Sequence, residues 1–179
     1  MKKCSVIIGS LRKNSNSLAV GKTIEKFLRE TGEFEVSFPD IGSLPLFSED
    51  LEQSPPESWV KFRAEIASSD CLLFITPEYN RGYPACIKNA LDIGSRPNGK
   101  SVWSGKPGAV AGVSPGKIGA SLAVNQLKQV LSFLNIPLLL QPECYIQADG
   151  SFSDGNIADG GTKDFIKLFA AKFVEFVNR

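Results

Sequence analysis

Short apolar runs alternate with helical patterns along the chain, and this alternation constrains the fold more than any other feature. Runs typical of buried strands cover residues 3–9 and 71–75, and weaker strand patterns cover 33–38, 107–113 and a stretch that starts at 137–140. The residues between them place apolar side chains at helical spacing. The predicted helices cover 17–30, a segment from about Pro56, 84–94, 119–134, and a closing segment with Phe165, Leu168, Phe169, Phe173 and Phe176 on one face.

Five strands that alternate with five helices predict an α/β fold. Parallel strands need crossover connections, so the sheet should be parallel with helices on both faces. The dinucleotide-binding and flavodoxin-like arrangements both satisfy this pattern. Residues 39–55 and 147–161 are rich in Gly, Pro, Ser and acidic residues and are predicted to be loops. Asn16 or Ser17 is predicted to cap the first helix.

Length and composition limit the classes of function. A chain of 179 residues suits a single domain, here residues 1–179, and its net charge of +1 does not favour nucleic acid or an anionic membrane as partner. No apolar run has the length of a signal peptide or a membrane span, so a cytoplasmic protein is expected. The four cysteines include no CxxC pair, so no metal site is predicted. The absence of histidine excludes Ser-His-Asp and Cys-His catalysis.

The turn after the first strand run is dense in polar groups. The segment Gly9-Ser10-Leu11-Arg12-Lys13-Asn14-Ser15-Asn16-Ser17 lacks both G-x-G-x-x-G and G-x-x-x-x-G-K-[ST]. The helix that follows has free N–H groups and a dipole that favour an anion. We therefore predict a terminal phosphate bound by Ser10, Arg12, Ser15, Asn16 and Ser17. Helix capping and turn formation alone would also account for these residues.

The turn after the third strand run, Thr76-Pro77-Glu78-Tyr79-Asn80, should lie beside the first. Ligands of such folds bind at the carboxyl ends of the strands, at the point where the strand order reverses. Backbone N–H groups of this turn could bind the edge of a flavin ring, Tyr79 offers an aromatic surface, and Asn80 could brace the turn through its amide. We predict a planar ring along Pro77, Glu78, Tyr79 and Asn80. Together, this ring site and the phosphate site at residues 9–17, which we call the phosphate loop, predict that the chain binds FMN. The alternative interpretation of residues 76–80 is an ordinary turn.

A third loop, Val113-Ser114-Pro115-Gly116-Lys117, ends the fourth strand run and should reach the same crevice. Ser114 and Gly116 are predicted to bind the cofactor, and Gly116 and Lys117 could favour the negative charge of a reduced flavin. Lys117 is more simply interpreted as a solvated surface charge.

The cysteines Cys4 and Cys71 lie in strand patterns and are interpreted as small buried hydrophobes. Cys86 lies nearer the predicted site, where a reactive role is the less favoured interpretation.

With these residues in view, the chain resembles the NAD(P)H-dependent FMN reductase family, in particular its bacterial quinone and chromate reductase branch. The matching positions span about residues 5–135. They are Gly9-Ser10-Leu11-Arg12 with Ser15, Leu44-Pro45-Leu46-Phe47, Thr76-Pro77-Glu78-Tyr79-Asn80, Pro84, Lys88-Asn89-Ala90, Asp92, and Ser114 through Gly116.

The resemblance implies a flavodoxin-like fold with strand order 2-1-3-4-5 and tightly bound FMN. It also implies two-electron reduction of a small-molecule acceptor (quinones, free flavin, azo compounds or metal oxyanions such as chromate) with NADH or NADPH. Members are homodimers or homotetramers. No catalytic side chain is predicted, because the chemistry belongs to the cofactor. Tyr79 is expected to shape the acceptor site, and Glu78 is expected to act through its backbone.

Two positions depart from the family pattern. The asparagine that usually follows Ser15 by two positions is Ser17 here, with Asn16 beside it, and the aromatic often found after Asp92 is Ile93. Arg81 could meet the 2′-phosphate of NADPH, although an exposed arginine more often serves solubility.

The alternative function is a flavodoxin-like electron carrier, or a flavin-binding protein without substrate turnover. Carriers of that kind are typically acidic, which this chain is not.

Overall fold

The computed structural model describes all 179 residues and contains the five parallel strands and five helices that the alternation predicts. The strands are β1 Lys2–Ile8, β2 Phe34–Ser37, β3 Cys71–Thr76, β4 Gly108–Ser114 and β5 Cys144–Gln147. The helices are α1 Asn16–Glu30, α2 Glu57–Ala67, α3 Ala85–Ser95, α4 Ser121–Phe133 and α5 Gly161–Val177. The strands pair in the order β2-β1-β3-β4-β5, and every pair is parallel. The predicted flavodoxin-like strand order is confirmed.

Helices cover both faces of the sheet because alternate strand residues point to opposite sides. In β3, Leu73 and Ile75 face the core formed with α1 and α5. Leu72 and Phe74 face the other core, to which α2, α3 and α4 contribute. Every residue of β3 is buried, as expected for the central strand of a parallel sheet with two covered faces.

The predicted start of the fifth strand at 137–140 is wrong. Leu138 forms only an isolated bridge with Gly108, at the beginning of β4. The strand that pairs with the rest of β4 is Cys144–Gln147, in which Cys144 and Ile146 are buried. Pro137 and Pro142 flank the apolar run and lack the N–H group that a continuous ladder requires, so pairing resumes only after the second proline.

The predicted loop 147–161 is also partly wrong. It contains a small antiparallel hairpin, β6 Phe152–Ser153 and β7 Asn156–Ile157. Ile157 is buried in the core beneath α1 and α5. The segment is therefore anchored by one apolar side chain, which its polar composition does not reveal. The loop 39–55 is irregular as predicted, except for a short 3-10 helix at Glu49–Leu51.

The strand register brings three loops together at one edge of the sheet. Ile8 pairs with Ile75, and Ile75 in turn pairs with Ala111. The segments that follow β1, β3 and β4 therefore leave the sheet side by side. The helices of this fold are too short or too polar to cross a membrane.

Candidate active site

A cleft of about 330 Å³ lies at the carboxyl ends of β1, β3 and β4. Eleven residues line it: Ser10, Arg12, Ser15, Asn16, Ser17, Pro77, Glu78, Tyr79, Val113, Ser114 and Pro115. Nine of them were predicted as site residues from the sequence. The other two predicted residues, Asn80 and Gly116, are exposed and lie beside the cleft without lining it.

The loop after β1 presents a run of unpaired backbone donors. None of the N–H groups of residues 10–17 donates a hydrogen bond within the chain, although Gly9 N still bonds Ile75 O at 2.8 Å. The run ends in the first turn of α1, which contains no acidic residue. Unpaired N–H groups and the positive end of the helix dipole thus face the cleft without a counter-charge from this chain.

Ser15 caps α1, so the prediction of Asn16 or Ser17 as the cap is wrong. The Ser15 hydroxyl oxygen accepts the Leu18 N–H at 3.1 Å, and Ser15 has the extended backbone of a cap residue. Asn16 and Ser17 instead occupy the first helical positions, where their own N–H groups are free. The Ser15 hydroxyl can still donate its hydrogen to a ligand while its oxygen holds the helix.

Arg12 is exposed at the cleft and has no hydrogen-bond or ion-pair partner within the chain. Arg12 and Ser10 also line a larger hollow of about 470 Å³ on their other side, toward residues 38–42. The carboxylate there, Asp40, accepts hydrogen bonds from Gly42 and Ser43 of its own loop. Hydrogen bonding from Ser43 lowers the pKa of Asp40. Only the smaller cleft combines the phosphate loop with the loop after β3.

Gly9 allows the phosphate loop to lie against the neighbouring elements. A Cβ at this position would come within 2.6 Å of Ile87 Cδ1 and 3.1 Å of Pro77 Cδ. Both contacts are shorter than ordinary van der Waals separations. A side chain at position 9 would therefore require Ile87 and Pro77 to shift, and glycine lets the loops after β1 and β3 approach closely at the base of the cleft.

The loop after β3 is a tight turn with a defined shape. Tyr79 N donates to Gly82 O and Gly82 N donates to Tyr79 O, both at 2.9 Å. Asn80 and Arg81, between them, have positive φ values of 50° and 67°. Two successive residues with positive φ are typical of a type I′ turn, which asparagine tolerates well. We call residues 77–82 the ring loop.

Asn80 braces the ring loop through its backbone conformation, so the prediction that its amide does so is wrong. Its side chain is exposed and makes no hydrogen bond within the chain. The N–H groups of Glu78 and Asn80 have no partner, whereas the Tyr79 N–H is used by the turn. Tyr79 itself is 54% exposed beside the cleft. The ring loop thus offers two free donors and one aromatic surface.

The side chain of Glu78 points away from solvent toward α4. Its carboxylate accepts hydrogen bonds from Leu122 N at 3.1 Å and Ala123 N at 3.2 Å. The N–H group of Glu78 has no partner within the chain, so its backbone contact with a ligand stays a prediction, while the side chain has a second task that the sequence did not indicate. No local motif could have signalled it, because the partners are 44 and 45 residues away.

Asn89 holds the segment Leu44-Pro45-Leu46-Phe47 in place through its side-chain amide. Its Oδ1 accepts from Phe47 N at 2.8 Å, and its Nδ2 donates to Leu44 O and Pro45 O, each at 3.2 Å. Trp59 Nε1 also donates to Pro45 O, at 3.1 Å. The amide of Asn89 therefore fixes a surface loop that has no regular structure of its own.

None of the cysteines is arranged as a nucleophile. Burial raises the pKa of the Cys86 thiol, and its Sγ lies 3.5 Å from Gly9 O. Burial also raises the pKa of Cys144, to about 12. Cys4 and Cys71 are buried in the core, which confirms their interpretation as small hydrophobes. No cluster of acidic or cysteine side chains is suited to holding a metal ion.

Comparisons with known proteins agree with this geometry. The family model described as NADPH-dependent FMN reductase matches residues 3–150. A quinone reductase of Pseudomonas putida is 43% identical over 175 residues, which cover 97% of this chain and 93% of that protein. A 2-hydroxy-1,4-benzoquinone reductase of a Burkholderia species is 42% identical over 177 residues, covering 98% of this chain and 96% of that protein.

Solved structures give the same result. FerB of Paracoccus denitrificans, described as a flavoenzyme NAD(P)H:(acceptor) oxidoreductase, superposes with a TM-score of 0.92 at 40% identity. The match covers 99% of this chain and 98% of FerB. A flavodoxin from Pseudomonas aeruginosa superposes with a TM-score of 0.62 at 19% identity, covering 96% of this chain and 99% of that one. This second match shows the shared fold alone.

Proposed function

Because the chain belongs to the NADPH-dependent FMN reductase family, we propose that it is an FMN-dependent oxidoreductase that reduces quinones with NADH or NADPH. Its relatives include proteins named as quinone reductases at 42–43% identity. The reaction would convert NAD(P)H, a proton and a quinone into NAD(P)⁺ and a two-electron-reduced quinol. The remaining predicted acceptors, which are free flavin, azo compounds and metal oxyanions such as chromate, stay predictions.

The observation that carries this proposal is the run of unpaired N–H groups at residues 10–17, with Arg12 beside them. A dianionic phosphate would supply acceptors for these donors and a counter-charge for Arg12 and the α1 terminus. FMN ends in such a phosphate. The bridging pyrophosphate of a dinucleotide would need a glycine for close backbone approach where Leu11 stands. The residues present therefore fit FMN.

The ring loop fits the other end of the same molecule. The free N–H groups of Glu78 and Asn80 are suited to the polar edge of a flavin, and Pro77 and Tyr79 are suited to its apolar surface. Ser114 and Pro115 form the facing wall. The volume of the cleft lies within the range of roughly 300–1,000 Å³ that is usual for small-molecule sites.

The side chains would bind and orient, and the cofactor would supply the redox chemistry. That chemistry would be the acceptance of a hydride from NADH or NADPH and the transfer of two electrons to the acceptor. The chain has no histidine, and we assign no side chain as general acid or base. Exposed Tyr79 would shape the space that nicotinamide and acceptor occupy in turn. Exposed Arg81 could meet the 2′-phosphate of NADPH, although its guanidinium also lies 3.4 Å from Glu78.

We propose further that residues 1–179 act as one FMN-binding domain, that the protein is cytoplasmic, and that it forms a homodimer or homotetramer. Exposed apolar side chains near the cleft support self-association, namely Leu11, Ile118 and Leu122. Light scattering after size-exclusion chromatography would measure the number of subunits.

The test begins with the absorption spectrum of the purified protein before and after addition of FMN. NADH or NADPH is then added without oxygen, followed by a benzoquinone. We expect FMN to bind, the flavin absorbance to bleach without any partner protein, and the quinone to restore it. Failure to bind FMN, or failure of both nucleotides to bleach it, would contradict the proposal. Bleaching that requires a separate reductase would favour the electron-carrier alternative.

A further inference from the structure

Helix α4 lacks a cap from its own sequence. Ala120, which precedes it, has a left-handed φ of 65° and a methyl side chain that accepts no hydrogen bond. The first-turn N–H groups of Leu122 and Ala123 would therefore be unpaired. They donate instead to the same oxygen of Glu78, at 3.1 and 3.2 Å. A carboxylate from the ring loop thus performs the task of an N-cap at a distance along the chain.

The Glu78 carboxylate is shielded and only weakly neutralised by another side chain. It is 8% exposed, and its single ion pair is with Arg81 at 3.4 Å, where the arginine side chain is 69% exposed. Exposed ion pairs of this kind contribute little to stability, because solvent screens the attraction between the two charges. The negative charge is therefore balanced mainly by the positive end of α4.

A second bond joins the ring loop to α4. Gln126 Nε2 donates to Arg81 O at 3.0 Å. The α4 terminus is itself fixed to the sheet, because a Cβ at Gly119 would lie 2.5 Å from the Tyr145 carbonyl carbon. The ring loop is thus attached to a rigid part of the fold, and the same helix start follows the loop that carries Ser114 and Pro115.

We propose that Glu78 is a positioning residue that fixes the ring loop against α4, and that its negative charge lowers the reduction potential of FMN. The inference rests on the proposed function and deepens it. The first-turn donors of α4 are paired with Glu78, so they cannot stabilise an anion in the cleft. Glu78 lines the cleft. Reduced flavin carries more negative charge than oxidised flavin, so a carboxylate on this wall would disfavour the reduced form.

The variant Glu78→Gln tests the charge and the geometry together. Its amide oxygen keeps one acceptor for the helix, while the negative charge is removed. We expect the dissociation constant for oxidised FMN to rise about tenfold, because a bond to a charged acceptor is lost. The reduction potential should become more positive, measured by anaerobic reduction against a reference dye. The matched control is Glu35→Gln, at an exposed β2 residue whose side chain makes no hydrogen bond or ion pair; it should change neither value.

The variant Gln126→Ala separates position from charge. It removes the bond to Arg81 O and leaves the net charge unchanged. We expect weaker FMN binding with an unchanged potential. It also serves as the independent test of positioning if Glu78→Gln does not fold. Dissociation constants for Gln126→Ala equal to those of the parent would overturn the positioning claim.

Hydrogen exchange of the protein without FMN tests the same contact independently of the cofactor. Amides in the peptide around Leu122 and Ala123 should exchange faster in Glu78→Gln than in the parent and in Glu35→Gln. Unchanged exchange, or an unchanged potential in Glu78→Gln, would overturn the inference. The exchange differences could be as expected while the parent protein binds no FMN. That result would overturn the proposed function and the claim about the reduction potential, and it would support the contact between Glu78 and α4.

Discussion

The phosphate loop and the ring loop lie in one cleft and are built in opposite ways. In the phosphate loop, the N–H groups of residues 10–17 have no partner within the chain. In the ring loop, two bonds close the turn between Tyr79 and Gly82, and Glu78 and Gln126 connect it to α4. One loop needs a ligand to complete its hydrogen bonding, and the other is largely complete without one.

This difference indicates how the cleft divides its work. Unpaired donors and Arg12 can supply most of the affinity for a charged ligand, because bonds to charged groups contribute more than neutral ones. A turn that holds its own shape can supply orientation, since little conformational entropy remains to be lost on binding. Loss of a cleft-facing donor in the first loop should therefore lower affinity directly, and mutations in the second loop should lower affinity through changes in the stability and geometry of the turn.

The largest effect is expected for Arg12→Ala. Loss of a charge-assisted contact of about 1.5–3 kcal/mol should raise the FMN dissociation constant by roughly 10- to 150-fold. Lys13→Ala is the matched control, because Lys13 is an exposed neighbouring cation that does not line the cleft. Flavin fluorescence titration would measure both. Equal losses in the two variants would show that net charge, and not a specific contact at Arg12, governs affinity.

The next effect concerns the strain of the ring loop. Asn80→Val places a β-branched residue at a φ of 50° and should lower the free energy of unfolding by about 1–3 kcal/mol. Asn80→Gly, the control, removes the side chain but tolerates the same conformation. Urea unfolding of the FMN-free protein would compare them. Equal stabilities for valine and glycine would show that the turn is not held in this conformation.

A smaller effect distinguishes the two hydroxyls of the phosphate loop. Ser15→Ala removes the α1 cap and should cost about 1 kcal/mol of stability without FMN. Ser10 lines the cleft and its hydroxyl makes no bond within the chain, so Ser10→Ala should weaken FMN binding and leave stability unchanged. Thermal unfolding and FMN titration of both variants would check this. Equal stability losses would contradict the assignment of Ser15 as the cap.

The smallest effect is expected at Cys86. Burial raises the pKa of its thiol, so the reactive thiolate should be scarce at neutral pH. Alkylation by iodoacetamide, followed by mass spectrometry of the Cys86 peptide, should be slower than for glutathione in the same solution. The alkylation rate of Cys86 should continue to rise at pH values at which the alkylation rate of glutathione no longer increases. Rapid labelling at neutral pH would reopen a reactive role for this residue.

Local pattern in the sequence predicts the parallel sheet and most of the cleft, and the strand order followed from the family resemblance. A polar turn between a strand run and a helix is visible without a structure, and Arg12 and Tyr79 could be assigned to the cleft on that basis. The Glu78 contact to α4 could not, because it depends on how two distant segments meet. The fifth strand was misplaced because the apolar residues 137–140 outweighed the short alternation at Cys144–Gln147.

Gly9 has a consequence for engineering this scaffold. The close approach of the loops after β1 and β3 depends on a position where a Cβ would press against the side chains of Ile87 and Pro77. A library intended to alter acceptor preference can vary Tyr79 and Arg81 of the ring loop, whose side chains are exposed. The same library should keep residue 9 unchanged, because a side chain there would have to displace Ile87 and Pro77 beneath the cleft.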